Sequence, residues 1–219
     1  GRRGLRAEAF IDALLAYMRG GTVLMPTMTW RTVTPANPVF DELRTPSHTG
    51  ILSEIFRTQY ATHRSLHPTH SVAGIGPAAA YLLGGHHLGE TPCPPDSPYG
   101  RMRRFETHIL LLGVSLQSCT AIHHVEEMMA PDIYLRPQAE AESYELISRT
   151  GEVLRMRLRP HLRLKVNFQM FGPPLAAKGQ LAAGRIGETA WLRVPARALL
   201  AEVEAALACR PDAVIARPG

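Results

Sequence analysis

The chain has 219 residues, of which 45% are hydrophobic and 20% charged, and its formal net charge is +5. This length suits one large globular domain, and no apolar stretch reaches the roughly 18 residues that a membrane-spanning helix needs. The cysteines, Cys93, Cys119 and Cys209, are scattered and form no CxxC motif. This pattern argues against a disulfide framework and a cysteine-based zinc site, and a cytoplasmic protein is expected.

The positive charge indicates an anionic partner. Arginines gather near residues 101–104 and again over 155–165, where they alternate with leucine and methionine as on the exposed face of a strand pair. Because no aromatic residues are interleaved with these groups, nucleic-acid binding is not expected. An anionic small ligand such as a phosphorylated cofactor accounts for the charge equally well.

The first stretch, GRRGLRAEAFIDALLAYMRGG (1–21), contains arginines, but its hydrophobic spacing predicts an amphipathic helix rather than a signal peptide. The elements expected up to the middle of the chain are a helix over 8–18, a strand over 22–30, a loop over 31–49 anchored by Phe40, a helix over 50–59, a polar loop over 60–72, a helix over 76–86 and a proline-rich loop over 88–100. A buried strand over 109–114, a loop over 115–120 and a helix over 122–130 that Pro131 closes come next.

The pattern changes at residue 143. Alternating residues around Thr150–Gly151 predict a β-hairpin insertion over 143–166. A helical stretch over 168–178, a short strand over 184–194 and a helix over 195–208 complete the chain. The order is therefore α/β, then β-rich, then α/β again.

The segment 110–127, LLLGVSLQSCTAIHHVEE, is the most informative part of the sequence. A buried strand and a short polar loop lead into a helix start that carries His123, His124, Glu126 and Glu127, and open α/β sheets carry their sites at such positions. His123 and Glu126 are three residues apart and share a helix face. A histidine oriented by a carboxylate is a natural general base near neutral pH.

The loop HRSLHPTHSVAGIG, 63–76, is a second candidate site. Arg64, Ser65 and Ser71, together with backbone amides, could hold a phosphate or pyrophosphate. A solvated turn is equally compatible with the pattern, and the Walker A and GxGxxG fingerprints are absent.

A metal site is one alternative to the general base. Its candidate ligands are His67, His70, His123 and His124, with Glu126 or Asp96. However, the HExxH motif is missing, and adjacent histidines on a helix point about 100° apart, so they do not chelate one ion easily.

Nucleophilic catalysis is another alternative. Residues 113–117, GVSLQ, lack the second glycine of a serine-hydrolase elbow. Cys119 is close to His123 in sequence, but a small buried cysteine is the commoner role.

The remaining polar residues are less specific. In SPYGRM, 97–102, an exposed Tyr99 and Arg101 are either ligand contacts or loop anchors. His86, His87 and His108 have no partner nearby in sequence and are expected at the surface or at strand edges.

Several segments together resemble the aminoglycoside 3-N-acetyltransferase family, also called antibiotic N-acetyltransferases. They are MPTMTW (25–30), GILSEIFR (50–57), RSLHPTHSVAGIGP (64–77), SPYGRM (97–102), LLLGV…CTAIHHVEE (110–127) and the C-terminal stretch 167–200. They occur in the family's order and spacing and cover nearly the whole chain. The resemblance implies an α/β fold with a central mixed sheet flanked by helices and a smaller β-rich part, unrelated to the GNAT acetyltransferases.

The resemblance also implies transfer of acetyl from acetyl-CoA to a primary amine without a metal. His123 matches the family's catalytic histidine, Thr120 its threonine and Glu126 its carboxylate three residues later. The residues expected to bind CoA are Arg64, Ser65, His70, Ser71 and Val72, and those expected to bind the amine are Asp96, Tyr99, Arg101 and Glu127.

Family members usually begin with a further strand and a His-Ser-Ser loop, and this chain is expected to lack both while forming one acetyltransferase domain over 1–219. The candidate acceptor is the 3-amino group of an aminoglycoside or another amine. A monomer or homodimer that binds neither nucleic acid nor membrane is expected. A metal-dependent amidohydrolase and a non-catalytic CoA-binding member remain open as alternatives.

Overall fold

The computed structural model describes residues 6–216, which divide into two compact units. The first unit contains the chain up to Pro92, with Asp96–Pro98 and Gln138–Arg159. The second contains Cys93–Pro95, Tyr99–Pro137 and the chain from Pro160 onward.

Along the described residues the strands come mostly in consecutive pairs that helices separate. The strands are β1 (Val23–Pro26), β2 (Val39–Asp41), β3 (His63–Arg64), β4 (Val72–Ile75), β5 (His108–Leu112), β6 (Glu142–Ile147), β7 (Val153–Leu158), β8 (Ala182–Ile186) and β9 (Thr189–Pro195). The helices are α1 (Ala7–Tyr17), α2 (Ile51–Ile55), α3 (Ala79–Leu83), α4 (Pro98–Arg101), α5 (Ala121–Met129), α6 (Pro131–Tyr134), α7 (Gly172–Ala177) and α8 (Ala196–Cys209). No helix of this described part is long and apolar enough to cross a membrane.

The first unit contains two three-stranded sheets. One has the antiparallel order β1-β4-β3, and the other has the order β2-β6-β7. In the second sheet β2 runs parallel to β6, and β6 pairs antiparallel with β7 in the predicted hairpin. The sheet is therefore mixed, and the predicted α/β class is confirmed.

Burial along the hairpin follows the predicted alternation. Arg155 and Arg157 on β7 are exposed, whereas Met156 and Leu158 are buried beside Phe40. Phe40 is fully buried, as an anchor should be, although the predicted loop around it contains strand β2.

The second unit contains one antiparallel sheet, β5-β9-β8, and the long helix α8. The single strand predicted over 184–194 is wrong, because the chain turns at Gly187 (φ +59°) and forms the β8–β9 hairpin. Gly184 lies opposite Trp191, and a Cβ there would be 2.6 Å from the indole ring. A larger residue at 184 would displace the tryptophan.

Two predicted helices are shorter or less regular than expected. The helix over 50–59 is α-helical only to Ile55 and continues as a π-helix over Phe56–Tyr60. The helix over 76–86 is reduced to Ala79–Leu83. The helix over 122–130 is found as α5, but Pro131 opens the short helix α6 instead of ending all helical structure.

The exposed position predicted for His86 is wrong. Its side chain is fully buried, where Nδ1 bonds Ser65 Oγ at 2.9 Å and Nε2 bonds the Pro92 carbonyl at 3.0 Å. The two bonds satisfy both ring nitrogens, so burial of this histidine is tolerated. His108, by contrast, is exposed as expected.

Glu54 on α2 provides a pH-dependent test of the first unit. Its carboxylate bonds Arg57 Nε at 2.8 Å and the Ser47 amide at 2.9 Å, and the hydrogen bond from Arg57 lowers its pKa. We expect Glu54→Gln to lower the free energy of unfolding by about 1 kcal/mol at pH 7. Because the folded pKa is depressed, the carboxylate's contribution is complete above the unfolded pKa and is lost as pH falls through the folded pKa. Urea unfolding of both proteins from pH 7 to pH 3 should show the difference shrinking; a difference independent of pH would contradict the assignment.

Candidate active site

The loop before α5 is held by its own polar side chains. Strand β5 ends at Leu112, and Ser115 Oγ accepts a hydrogen bond from the Gln117 amide. The Gln117 side chain donates to the Val166 carbonyl at 2.8 Å and accepts from the Phe168 amide at 3.1 Å. These bonds fix the point at which α5 begins.

His123 and Glu126 form a hydrogen-bonded pair on α5. His123 Nδ1 donates to Glu126 Oε2 at 2.5 Å. The His123 side chain is 27% exposed and that of Glu126 only 1% exposed, so the pair has a buried anchor and an accessible ring. His123 Nε2 makes no hydrogen bond within residues 6–216, and the predicted pairing of these two residues is present.

A second histidine–glutamate pair lies beside the first. His161 Nε2 bonds Glu127 Oε1 at 2.6 Å, and the His161 ring centroid is 4.5 Å from that of His123. The Phe168 ring approaches His123 edge-on at 5.3 Å. Burial lowers the pKa of His161 well below its usual value, and His123 lowers it further.

His161 and Phe168 were missed by the sequence analysis. His161 lies between the hairpin and the next helical turn, 34 residues from Glu127, and no local pattern links the two. The only sequence signal was an isolated histidine among arginines in RPHLR.

Neither buried cysteine of the second unit is an activated nucleophile. Burial raises the pKa of Cys119 to about 12, and it raises that of Cys93 well above its usual value. Cys119 is 3% exposed. This confirms its interpretation as a small buried residue.

The first unit contains the predicted CoA loop, and Arg64 there is occupied by the protein. Nη1 donates to the carbonyls of Glu42 and Thr45, Nη2 to that of Thr27, and Nε to the Ser71 hydroxyl. Burial lowers the pKa of Arg64 to about 9. The guanidinium thus holds the loop through hydrogen bonds to three backbone carbonyls outside it.

The loop's other predicted CoA residues are mostly internal as well. Ser65, Ser71 and Val72 are buried, and the Ser65 hydroxyl accepts from the Val72 amide at 2.9 Å. His70 is half-buried, with Nδ1 2.8 Å from Thr69 Oγ1. The solvated-turn alternative is wrong, whereas the CoA-binding role of these residues stays a prediction.

The histidines of this loop also bear on the metal alternative. His67 Nδ1 accepts hydrogen bonds from the amides of Thr69 and His70, at 3.2 and 2.9 Å. That nitrogen is therefore committed to holding the turn. Within the described residues, neither His67 nor His70 belongs to a converging group of three potential ligands.

The predicted amine-binding residues differ in their environments. Tyr99, expected to be exposed, is only 4% exposed, and burial raises its pKa well above the usual value. The predicted exposure of Tyr99 is wrong because the segment around it packs tightly. A Cβ at the next residue, Gly100, would lie 2.3 Å from the Pro95 carbonyl oxygen. Glu127 is buried and bonded to His161, Asp96 is exposed and Arg101 is half-buried.

The fold and this site define the class of protein. It is an α/β protein in which a strand, a loop and a helix present a histidine backed by a buried carboxylate, with buried protonated cysteines and no serine elbow in the sequence. The sequence model of the aminoglycoside 3-N-acetyltransferase family matches residues 1–208. The chain belongs to this family, as its motifs predicted.

Individual relatives agree with this assignment. The chain is 35% identical over 103 residues to aminoglycoside N(3)-acetyltransferase VII of Streptomyces paromomycinus, and 36% over 100 residues to aminoglycoside N(3)-acetyltransferase VIII of Streptomyces fradiae. These alignments cover 46% and 44% of this chain and 35% of each relative. The matched region thus spans about a third of the length of these relatives.

Solved structures share the fold over a larger part of the chain. A mutant of aminoglycoside acetyltransferase AAC(3)-IVa in complex with a gentamicin superposes with a TM-score of 0.81 at 24% identity, covering 99% of this chain and 81% of that one. AAC-IIIb, solved as a binary complex with CoASH, superposes with a TM-score of 0.74 at 22% identity, covering 97% and 85%.

Proposed function

We propose that this chain is an acetyl-CoA-dependent N-acetyltransferase in which His123 is the general base. The observation that carries the proposal is the 2.5 Å bond from His123 Nδ1 to the buried Glu126 carboxylate, with the ring partly exposed. This arrangement fixes the tautomer and leaves Nε2 as the proton acceptor. Membership of the family supports acyl transfer to an amine.

The proposed chemistry is direct transfer and uses no metal. A protonated amine has no lone pair, so it must lose a proton before it attacks the thioester carbon. The N–C bond forms and the C–S bond breaks, and over the whole reaction the ammonium loses two protons. One passes through His123 Nε2 to the CoA sulfur, and the other is released to solvent. Glu126 stabilises the imidazolium that forms.

Thr120 is the proposed donor to the developing oxyanion. The amides of Ile122 and His123 already bond the carbonyls of Cys119 and Thr120, at 3.2 and 3.0 Å. They are therefore not free to serve this purpose. The Thr120 hydroxyl makes no hydrogen bond within residues 6–216 and is half-buried, so it supplies the donor that the transfer requires.

An aminoglycoside with a 3-amino group is the first acceptor to test. The named relatives from Streptomyces support this choice, whereas the net charge of +5 would repel a polycation. Smaller primary amines therefore form the second arm of the test.

The test is a steady-state assay of the purified full chain with acetyl-CoA and both groups of amines. A thiol reagent monitors CoA release, and mass spectrometry locates the acetyl group on the amine. Amine-dependent CoA release with an acetylated product is expected. A folded protein that binds CoA in calorimetry yet releases no CoA with any amine would contradict the proposal and favour a non-catalytic CoA-binding protein.

A further inference from the structure

A buried cluster of three potential metal ligands lies in the second unit. Cys93, Glu127 and His161 each offer one ligand atom, and these atoms all lie within 4.8 Å of one another. Of the histidine, cysteine, aspartate and glutamate side chains in residues 6–216, these three form the group that converges in this way. The proton transfer proposed above uses neither the Cys93 thiol nor the Glu127 carboxylate, which is expected only to contact the amine.

We propose that Cys93, Glu127 and His161 bind one zinc ion. A thiolate, a carboxylate and an imidazole are the donors that Zn²⁺ takes in proteins, and a water molecule completes a tetrahedral site. Bond lengths of about 2.0–2.3 Å place tetrahedral ligands roughly 3.3–3.7 Å apart. Ligand atoms that are up to 4.8 Å apart would move inward by about 1 Å or less, and the 2.6 Å bond between His161 Nε2 and Glu127 Oε1 would open as both groups turn to the ion.

The backbone around Cys93 is held in place by α5. The Cys93 amide donates to Glu127 Oε1 at 2.8 Å, and the Cys93 carbonyl accepts from His124 Nδ1 at 2.8 Å. His161 is held from the other side, through an isolated β-bridge to Leu135. The His124 bond and the β-bridge hold the backbone at Cys93 and His161 without using a ligand side chain, so this part of the site is built in advance. The Cys93 amide bond uses the Glu127 carboxylate itself and brings this ligand to the cysteine.

Charge balance also favours a cation here. Glu126 and Glu127 are consecutive residues and both are buried, and burying two carboxylates together is costly unless positive charge balances them. Zn²⁺ bound by one thiolate and one carboxylate forms a neutral unit. A metal-bound cysteine is a thiolate, so binding releases the Cys93 thiol proton as the Zn–S bond forms.

The position of the cluster indicates what the ion would do. The His161 ring packs against that of His123, so an ion on His161 would fix one wall of the proposed active site. It would stabilise the fold without entering the transfer, and the inference holds whether or not the chain acetylates amines.

The experiment uses the full chain produced with zinc in the medium and then dialysed against metal-free buffer. We expect elemental analysis to find about one zinc ion per chain and Cys93→Ser to lose most of it. Cys119→Ser is the matched control, because Cys119 is an equally buried cysteine outside the cluster, and its zinc content should equal that of the parent. Co²⁺ added to the metal-free parent should give a near-ultraviolet thiolate band that Cys93→Ser lacks.

A measurement on the parent chain covers the case in which Cys93→Ser does not fold. Removing zinc with a chelator should lower Tm by about 5–10 °C, and adding back zinc at 100 times its Kd should restore it. His161→Phe gives a second variant that leaves the thiol in place. Zinc well below stoichiometry, with no thiolate–Co²⁺ band and no Tm response, would overturn the proposal and leave the cluster as hydrogen-bonded side chains only.

Discussion

Replacing His123 with alanine is expected to lower kcat for amine acetylation about 10²–10⁴-fold, the usual contribution of a general base. The ring is partly exposed and makes ring contacts with His161 and Phe168, so its removal should leave the protein folded. If His123 acts only on the proton of the amine, the Kd for CoA should stay close to that of the parent. Steady-state assays of CoA release and calorimetry with CoA measure the two quantities.

Two further variants make this result specific. His108→Ala removes an exposed histidine on β5 and should retain the parent's turnover. Glu126→Gln keeps the shape of the buried partner but removes its charge, and it should lower kcat by about tenfold or more because the imidazolium loses its counter-ion. Parent-like turnover in His123→Ala would show that another group accepts the proton.

The elements next to the site could be predicted because local signals specify them. The apolar run 109–114 and the polar loop after it indicate a strand end, and β5 with the turn before α5 lies there. The burial predicted for this strand is wrong, because Leu111 is the one buried residue of β5 and Leu110 is 41% exposed. The hairpin over β6 and β7 follows from strict alternation around Gly151. The β8–β9 hairpin was missed because a two-residue turn at Gly187–Glu188 interrupts a segment too short to show two alternations.

The parts of the site that sequence reasoning missed depend on distant pairing. Glu127 meets Cys93 and His161, each 34 residues away in sequence. The absence of a CxxC or HExxH motif argued against a metal, but such motifs detect only ligands that are close together along the chain. Burial was also misjudged in the loop over 63–76, because Arg64 and Ser71 donate to backbone carbonyls of residues 27–45 that only the folded first unit brings close.

Replacing Arg64 with methionine is expected to lower the free energy of unfolding by about 3–5 kcal/mol. In the parent, the Arg64 guanidinium lies 4.8 Å from the centre of the Phe40 ring. Methionine keeps an apolar side chain at this position but removes every donor. The carbonyls of Glu42 and Thr45 then lose the Nη1 bonds at 3.0 and 2.7 Å. Arg64→Lys should recover only part of the loss, because one ammonium group cannot reproduce the planar fork of the guanidinium.

Urea unfolding of the two variants measures this effect, with Arg44→Ala as the control. The Arg44 side chain is 89% exposed and pairs loosely with Asp41 at 3.8 Å, so its removal should change stability by less than about 0.5 kcal/mol. The experiment also separates the two roles considered for Arg64. Unchanged stability with a large loss of CoA affinity would identify a phosphate ligand, as the sequence suggested. A large loss of stability is the expected result, because a guanidinium whose three nitrogens all donate to the protein has little capacity left for a phosphate.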